Sequence, residues 1–161
     1  MDPDMTIDLF EARATIELFE ARANLEQGGL PAALANLRYK RGTILDCPDT
    51  GPIHDRKFDK EHPDHPQAAP QRFIRIEAAD RIKDIAETAP SSFGEDELAA
   101  LHEALLDRSP AVRLSIVKTL ELLNRRESDK PLADLLQVED ESEWVRSAIL
   151  RALSLARHGT A

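Results

Sequence analysis

Apolar residues recur along this chain at helical spacing, in blocks set apart by glycine, proline and acidic clusters. Leu98, Leu101, Ala104 and Leu105 stand three and four residues apart, which lines one side of an α-helix and predicts a helix over 95–106. Glu95, Asp96 and Glu97 fill its first turn, where the helix dipole favours anions. Ser109 followed by Pro110 reads as an N-cap with proline in the first turn, opening a helix over 110–124. A shorter pair is predicted over 130–138 and 143–157, with Ser142 placed to cap the second. Upstream, the same spacing predicts helices over 71–88, over 30–41 and from Thr6 to the Gln27, Gly28, Gly29 break.

Two of these blocks are copies of one another. Asp107, Ser109, Val112 and Arg113 return as Asp140, Ser142, Val145 and Arg146, 33 residues later, and the register continues through Leu120 and Leu153. A period of this length with a helical pattern is expected of stacked helical hairpins, each burying its apolar face only against a neighbour. Ile74 and Arg75 align with Val112 and Arg113 at an offset of 38, which marks a degenerate earlier copy. The expected class is all-α, a short α-solenoid closed at its start by an N-terminal helical hairpin. The expected organisation is a hairpin over 1–41, a loop over 42–70, and one degenerate and two clear copies over 71–161.

The first helix contains a tandem duplication: residues 6–14 and 15–23 differ only at Asp8 and Glu17. Nine residues at about 100° each turn the helix by two and a half revolutions, so the second Leu-Phe pair points away from the first. A helix with two apolar sides fits between other helices of its own fold. It also fits a second chain, through Phe10 or Phe19, as a possible homodimer. The 42–70 loop is rich in proline and holds His54, His62 and His65 with Cys47, Asp55, Asp59, Glu61 and Asp64 nearby. Imidazole and carboxylate groups can assemble a metal site, so His54, His62 and His65 are the weak metal candidates, although their spacing matches no tight ligand pattern. A solvated linker is the simpler reading.

Composition narrows the classes further. The chain has 161 residues, 42% of them hydrophobic but only 4% aromatic, a balance that suits Leu, Ile and Ala packing between helices better than a β-sandwich. Net charge is −9, which opposes bulk attraction to nucleic acid or an anionic membrane. A single cysteine, Cys47, gives no internal disulfide framework. No apolar run is long enough to span a bilayer, and the start lacks the features of a secretory signal, so cytoplasmic residence is expected.

The paired motifs resemble HEAT repeats of the bacterial HEAT-like type also found in phycobilin lyases. The resemblance covers about 70–157 and rests on a leucine-rich helix, a turn with Asp, Ser and Pro, then Val-Arg and an Ala/Leu-rich helix. It implies a structural ladder between repeats carried by Asp107, Arg113, Asp140 and Arg146. It also implies that the second helix of each hairpin lies on the concave side. Those helices hold Arg113, Lys118, Arg125, Arg126, Arg146, Arg151 and Arg157, against Glu121 and Glu143 alone. The expectation is therefore a non-enzymatic adaptor with no cofactor, binding an acidic segment of a protein partner through Lys118, Arg125, Arg151 and Arg157. Trp144, Phe10 and Phe19 are candidate contacts, and Leu150 and Leu155 mark the far end as a second docking surface. The alternative is a metal-binding or tetrapyrrole-handling protein using the histidine loop. Nucleic-acid binding is disfavoured by charge and by the lack of stacking aromatics on the basic helices.

Overall fold

The computed structural model describes residues 3–39, 69–138 and 141–154, with side chains described at 12, 13 and from 15 onward in the first helix and from 73 in the second. Among the described residues the fold is all-α, and no helix is long and apolar enough to cross a membrane.

Helix α1 runs Pro3–Leu37 and is broken at Gly29, whose backbone sits at φ 62° and ψ −145°. That region is closed to residues with a Cβ, and glycine enters it at no steric cost. The short second limb then returns antiparallel to the first. Asn36 Nδ2 donates to the Ala21 carbonyl at 3.0 Å, and the Tyr39 hydroxyl donates to Glu17. Burial first, and then the Glu17 carboxylate, push the Tyr39 phenol well above its ordinary pKa, so it stays a donor. Within the described residues the two limbs of α1 therefore fold back on one another, with Gly29 at the turn.

Helix α2 (Ala69–Thr88) packs along α1, and Leu18, Ala21 and Ile74 are buried there with Tyr39 against them. Arg22 fastens the pair from outside, its Nε 2.8 Å from a Glu77 oxygen. Helices α3 (Glu95–Ala104), α4 (Pro110–Leu123), α5 (Asp129–Leu136) and α6 (Glu143–Ser154) follow. Helix α2 packs against α4 and α4 against α6, while α3 and α5 each pack against the helix that follows them. The result is two layers with one continuous core between them, holding Ile82, Leu101, Leu105, Ile116, Leu120, Leu135 and Ile149.

The helix boundaries have local causes. Gly94 N–H donates to the Glu97 carboxylate at 3.1 Å at the start of α3. Asn124 ends α4 in the left-handed conformation, φ 50° and ψ 53°, and its N–H donates to Leu120 O. Asparagine tolerates that conformation better than any other residue except glycine. Ser142 caps α6 by accepting from Trp144 N–H at 3.2 Å. Ser109 makes no side-chain cap at α4; its own N–H instead donates to Asp107 Oδ1 at 2.9 Å.

Candidate functional site

Two kinds of arginine emerge once the helices are in place: those that hold the layers together and those that face outward. The first kind is buried or half-buried. Arg113 at the start of α4 donates from Nε and Nη2 to Glu141 at 2.9 and 2.7 Å, and from Nη1 to the Asp107 carbonyl at 2.7 Å. Both side chains of the Arg113–Glu141 pair are fully buried. Arg75 of α2 repeats the arrangement one hairpin earlier, with Nε 3.0 Å from Asp107 Oδ2 and Nη1 3.1 Å from Tyr39 O. Arg146 of α6 donates to the Val138 and Leu136 carbonyls at 2.7 and 3.2 Å. Each arginine thus reaches carbonyls at the end of the preceding helix, and Arg75 and Arg113 also reach forward to a carboxylate.

Of the residues expected to form this ladder, Asp107, Arg113 and Arg146 take structural positions, while Asp140 lies outside the described residues. Glu141, its neighbour in sequence, is the carboxylate that Arg113 engages. Arg75 was signalled only by its alignment with Arg113.

The second kind lines a groove of about 250 Å³ where α2, α4 and α6 run side by side. Lys83, Lys118 and Arg151 contribute the cations, Glu87 and Glu121 the carboxylates, and Leu122 and Ala148 the apolar surface. Arg151 Nε lies 3.2 Å from Glu121 Oε1 across the α4–α6 seam, with Arg151 largely exposed. At the α2–α4 seam Ser115 Oγ donates to the exposed Asp80 carboxylate at 2.7 Å. The groove lining holds three cations and two carboxylates, and Asp80 adds a third carboxylate one turn from Lys83 along the α2–α4 seam. Of the partner-contact candidates, Lys118 and Arg151 line this same groove. Lys83, Glu87 and Leu122 join them without having been singled out from the sequence.

The remaining candidates are dispersed. Arg125 donates from Nη1 to Phe93 O at 3.2 Å and pairs with Glu127, so it ties the end of α4 to the segment before α3. Trp144 is 80% exposed and stands two turns before Arg151 on the same face of α6. Phe19 is 62% exposed on α1. Leu150 is exposed on α6 away from Arg151. Phe10, Leu155, Arg157, His54, His62 and His65 fall outside the described side chains. Among the described residues no group of three His, Cys, Asp or Glu side chains is placed to hold a metal ion.

His102 is the one described histidine. Its Nε2 lies 2.9 Å from the buried Ser128 hydroxyl, joining α3 to the segment that leads into α5. Burial lowers its pKa below the ordinary 6.5, against a smaller opposing pull from Glu127. The unfolded chain therefore binds the proton more readily than the folded one. The contribution is fully present above about pH 6.5 and is lost as pH falls through the window toward the depressed folded value. Urea midpoints should fall across that window, and His102→Gln, which keeps a donor for Ser128, should flatten this part of the profile.

Comparison with protein-family models, curated proteins and solved structures returned no match for this chain.

Proposed function

We propose that this chain is a non-enzymatic protein-interaction module, a short HEAT-like solenoid whose α2–α4–α6 layer receives an acidic segment of a partner protein. The observation that carries the reading is the groove in which Lys83, Lys118 and Arg151, from the alternate helices α2, α4 and α6, line one surface with Leu122 and Ala148. An acidic partner helix or extended segment laid across it would meet cations at both seams, with apolar contact between them. Trp144 lies on the Arg151 face of α6, and a largely exposed tryptophan is a favoured interface anchor.

The solenoid reading is supported by the 33-residue return of the Asp-Ser-Val-Arg pattern and by the parallel roles of Arg75 and Arg113 across successive hairpins. Its non-enzymatic character is supported by the way the polar groups are used. The buried Arg75 and Arg113 are engaged by carboxylates and backbone carbonyls that hold the helices together.

The test is affinity purification from the native organism with the wild-type chain as bait, followed by binding measurements with the captured partner. Reversing both Lys118 and Arg151 to Glu should weaken binding by about 10–100-fold and flatten its salt dependence, since charge pairs at an interface act on association and specificity. A captured partner that binds the double variant as tightly as the wild type sinks the proposal.

A further inference from the structure

Helix α1 carries a second apolar stripe that its own fold leaves uncovered. Leu18, Ala21 and Leu25 face inward against α2 and the returning limb. Ala12, Ile16, Phe19 and Ala23 lie on the other side, and all four are exposed, Ile16 at 56% and Phe19 at 62%. Their spacing of four, three and four residues is that of a coiled-coil seam, in which two helices meet along alternating a and d positions. The second copy of the duplication, residues 15–23, feeds both stripes, giving Leu18 and Ala21 to the inner side and Ile16, Phe19 and Ala23 to the outer.

The flanks of the exposed stripe indicate what covers it. Arg13 and Glu20 stand seven residues apart, each one position past a seam residue, and so lie on the same edge of the stripe. In an antiparallel pair related by a two-fold axis, the same edge of each helix meets itself. Centred between residues 17 and 18, such a pair sets Ile16 against the partner's Phe19 and Ala12 against the partner's Ala23. Arg13 then meets the partner's Glu20, and the two-fold repeats every contact. The bulky residues meet in the middle, and the alanines at both ends let the backbones approach. Arg13 is 84% exposed beside a loose 3.7 Å contact to Glu17, so it can reach across. Among the described residues, Leu18, Ala21 and the helices packed on them lie on the opposite side of α1 from the stripe.

We propose that the chain forms an isologous antiparallel dimer through the Ala12–Ile16–Phe19–Ala23 stripe of α1, with Arg13 and Glu20 fixing its direction and register. This surface is separate from the α2–α4–α6 groove, so the dimer stands or falls independently of the proposed partner site.

Sedimentation equilibrium on the full chain from low to high micromolar concentration tests it. The wild type should dimerise, and Phe19→Glu, which sets a charge in the middle of the seam twice per dimer, should raise the dissociation constant by about 30-fold or more. Phe19 is solvent-facing, so helix content by circular dichroism should be unchanged. Arg13→Glu alone sets like charges opposite one another and should weaken the dimer by roughly tenfold. Adding Glu20→Arg restores the complementary pair and should return affinity to within about threefold of wild type. A wild-type chain that stays monomeric throughout, or a Phe19→Glu chain that still dimerises, overturns the proposal. So does a double charge variant no tighter than Arg13→Glu alone.

Discussion

Arg113→Ala should destabilise the protein by about 3–5 kcal/mol, the cost of leaving a buried carboxylate without its cation. For a domain of this size that corresponds to a fall of roughly 10 °C in Tm. The loss has two separable parts. Glu141 loses a two-point partner at 2.7 and 2.9 Å, and the Asp107 carbonyl loses a donor at 2.7 Å. Ser142 N–H, 2.7 Å from Glu141 Oε1, is too weak a donor to neutralise the carboxylate that remains. Replacing both partners, as Arg113→Leu with Glu141→Leu, removes the stranded charge and should recover most of the loss. The orphaned Asp107 carbonyl should keep the double variant about 1–3 kcal/mol below wild type. Urea unfolding of the two single variants and the double variant measures the coupling directly. Additive losses would show that the pair contributes nothing as a pair.

The other large effect is expected at the turn in α1. Gly29→Ala should cost about 1–3 kcal/mol, because φ 62° and ψ −145° lie where a residue with a Cβ is strained. Space is not the cause, since a Cβ built at Gly29 meets nothing within 4 Å. The adjacent position makes the contrast: a Cβ at Gly28 would lie 2.4 Å from that of Ala32, so Gly28→Ala fails by collision. Handedness provides the decisive control. The mirror image of the Gly29 backbone is the polyproline II conformation, so a D-alanine introduced there by semisynthesis should fit without strain. Equal unfolding midpoints for the L- and D-alanine proteins would refute this account of the turn.

Much of the helical order was legible because its signals are local. Pro110 at the start of α4, the acidic first turn of α3 and the Ser142 cap of α6 each act within one turn. Those starts accordingly fall where expected. Helix ends were less so, and α3 stops at Ala104 because Leu105 and Leu106 turn the chain toward Asp107. The partner of Arg113 shows what a repeat pattern leaves open. Periodicity placed an acidic residue near the right height, but a neighbouring position, with a longer side chain, makes the bond. One residue of turn geometry decides such a choice, and periodicity carries no information at that scale. Lys83 was hidden for a related reason: at the 38-residue offset it aligns with Glu121, and the position of Lys118 and Arg151 falls on Asp80. The two-sidedness of α1 could be read from the duplication, whereas the identity of the open side depended on how α2 and the returning limb pack.

The staggered placement of Arg75 and Arg113 has a consequence for how the molecule comes apart. Each guanidinium is clamped between the end of one helix and a carboxylate borne by the following hairpin. Peeling one hairpin away would therefore strand a charge belonging to its neighbour in a dry environment. Partial opening is penalised at both seams, which suppresses fraying from the ends and makes unfolding concerted. Amide exchange in α2, α4 and α6 should then report one shared opening free energy instead of a gradient along the array.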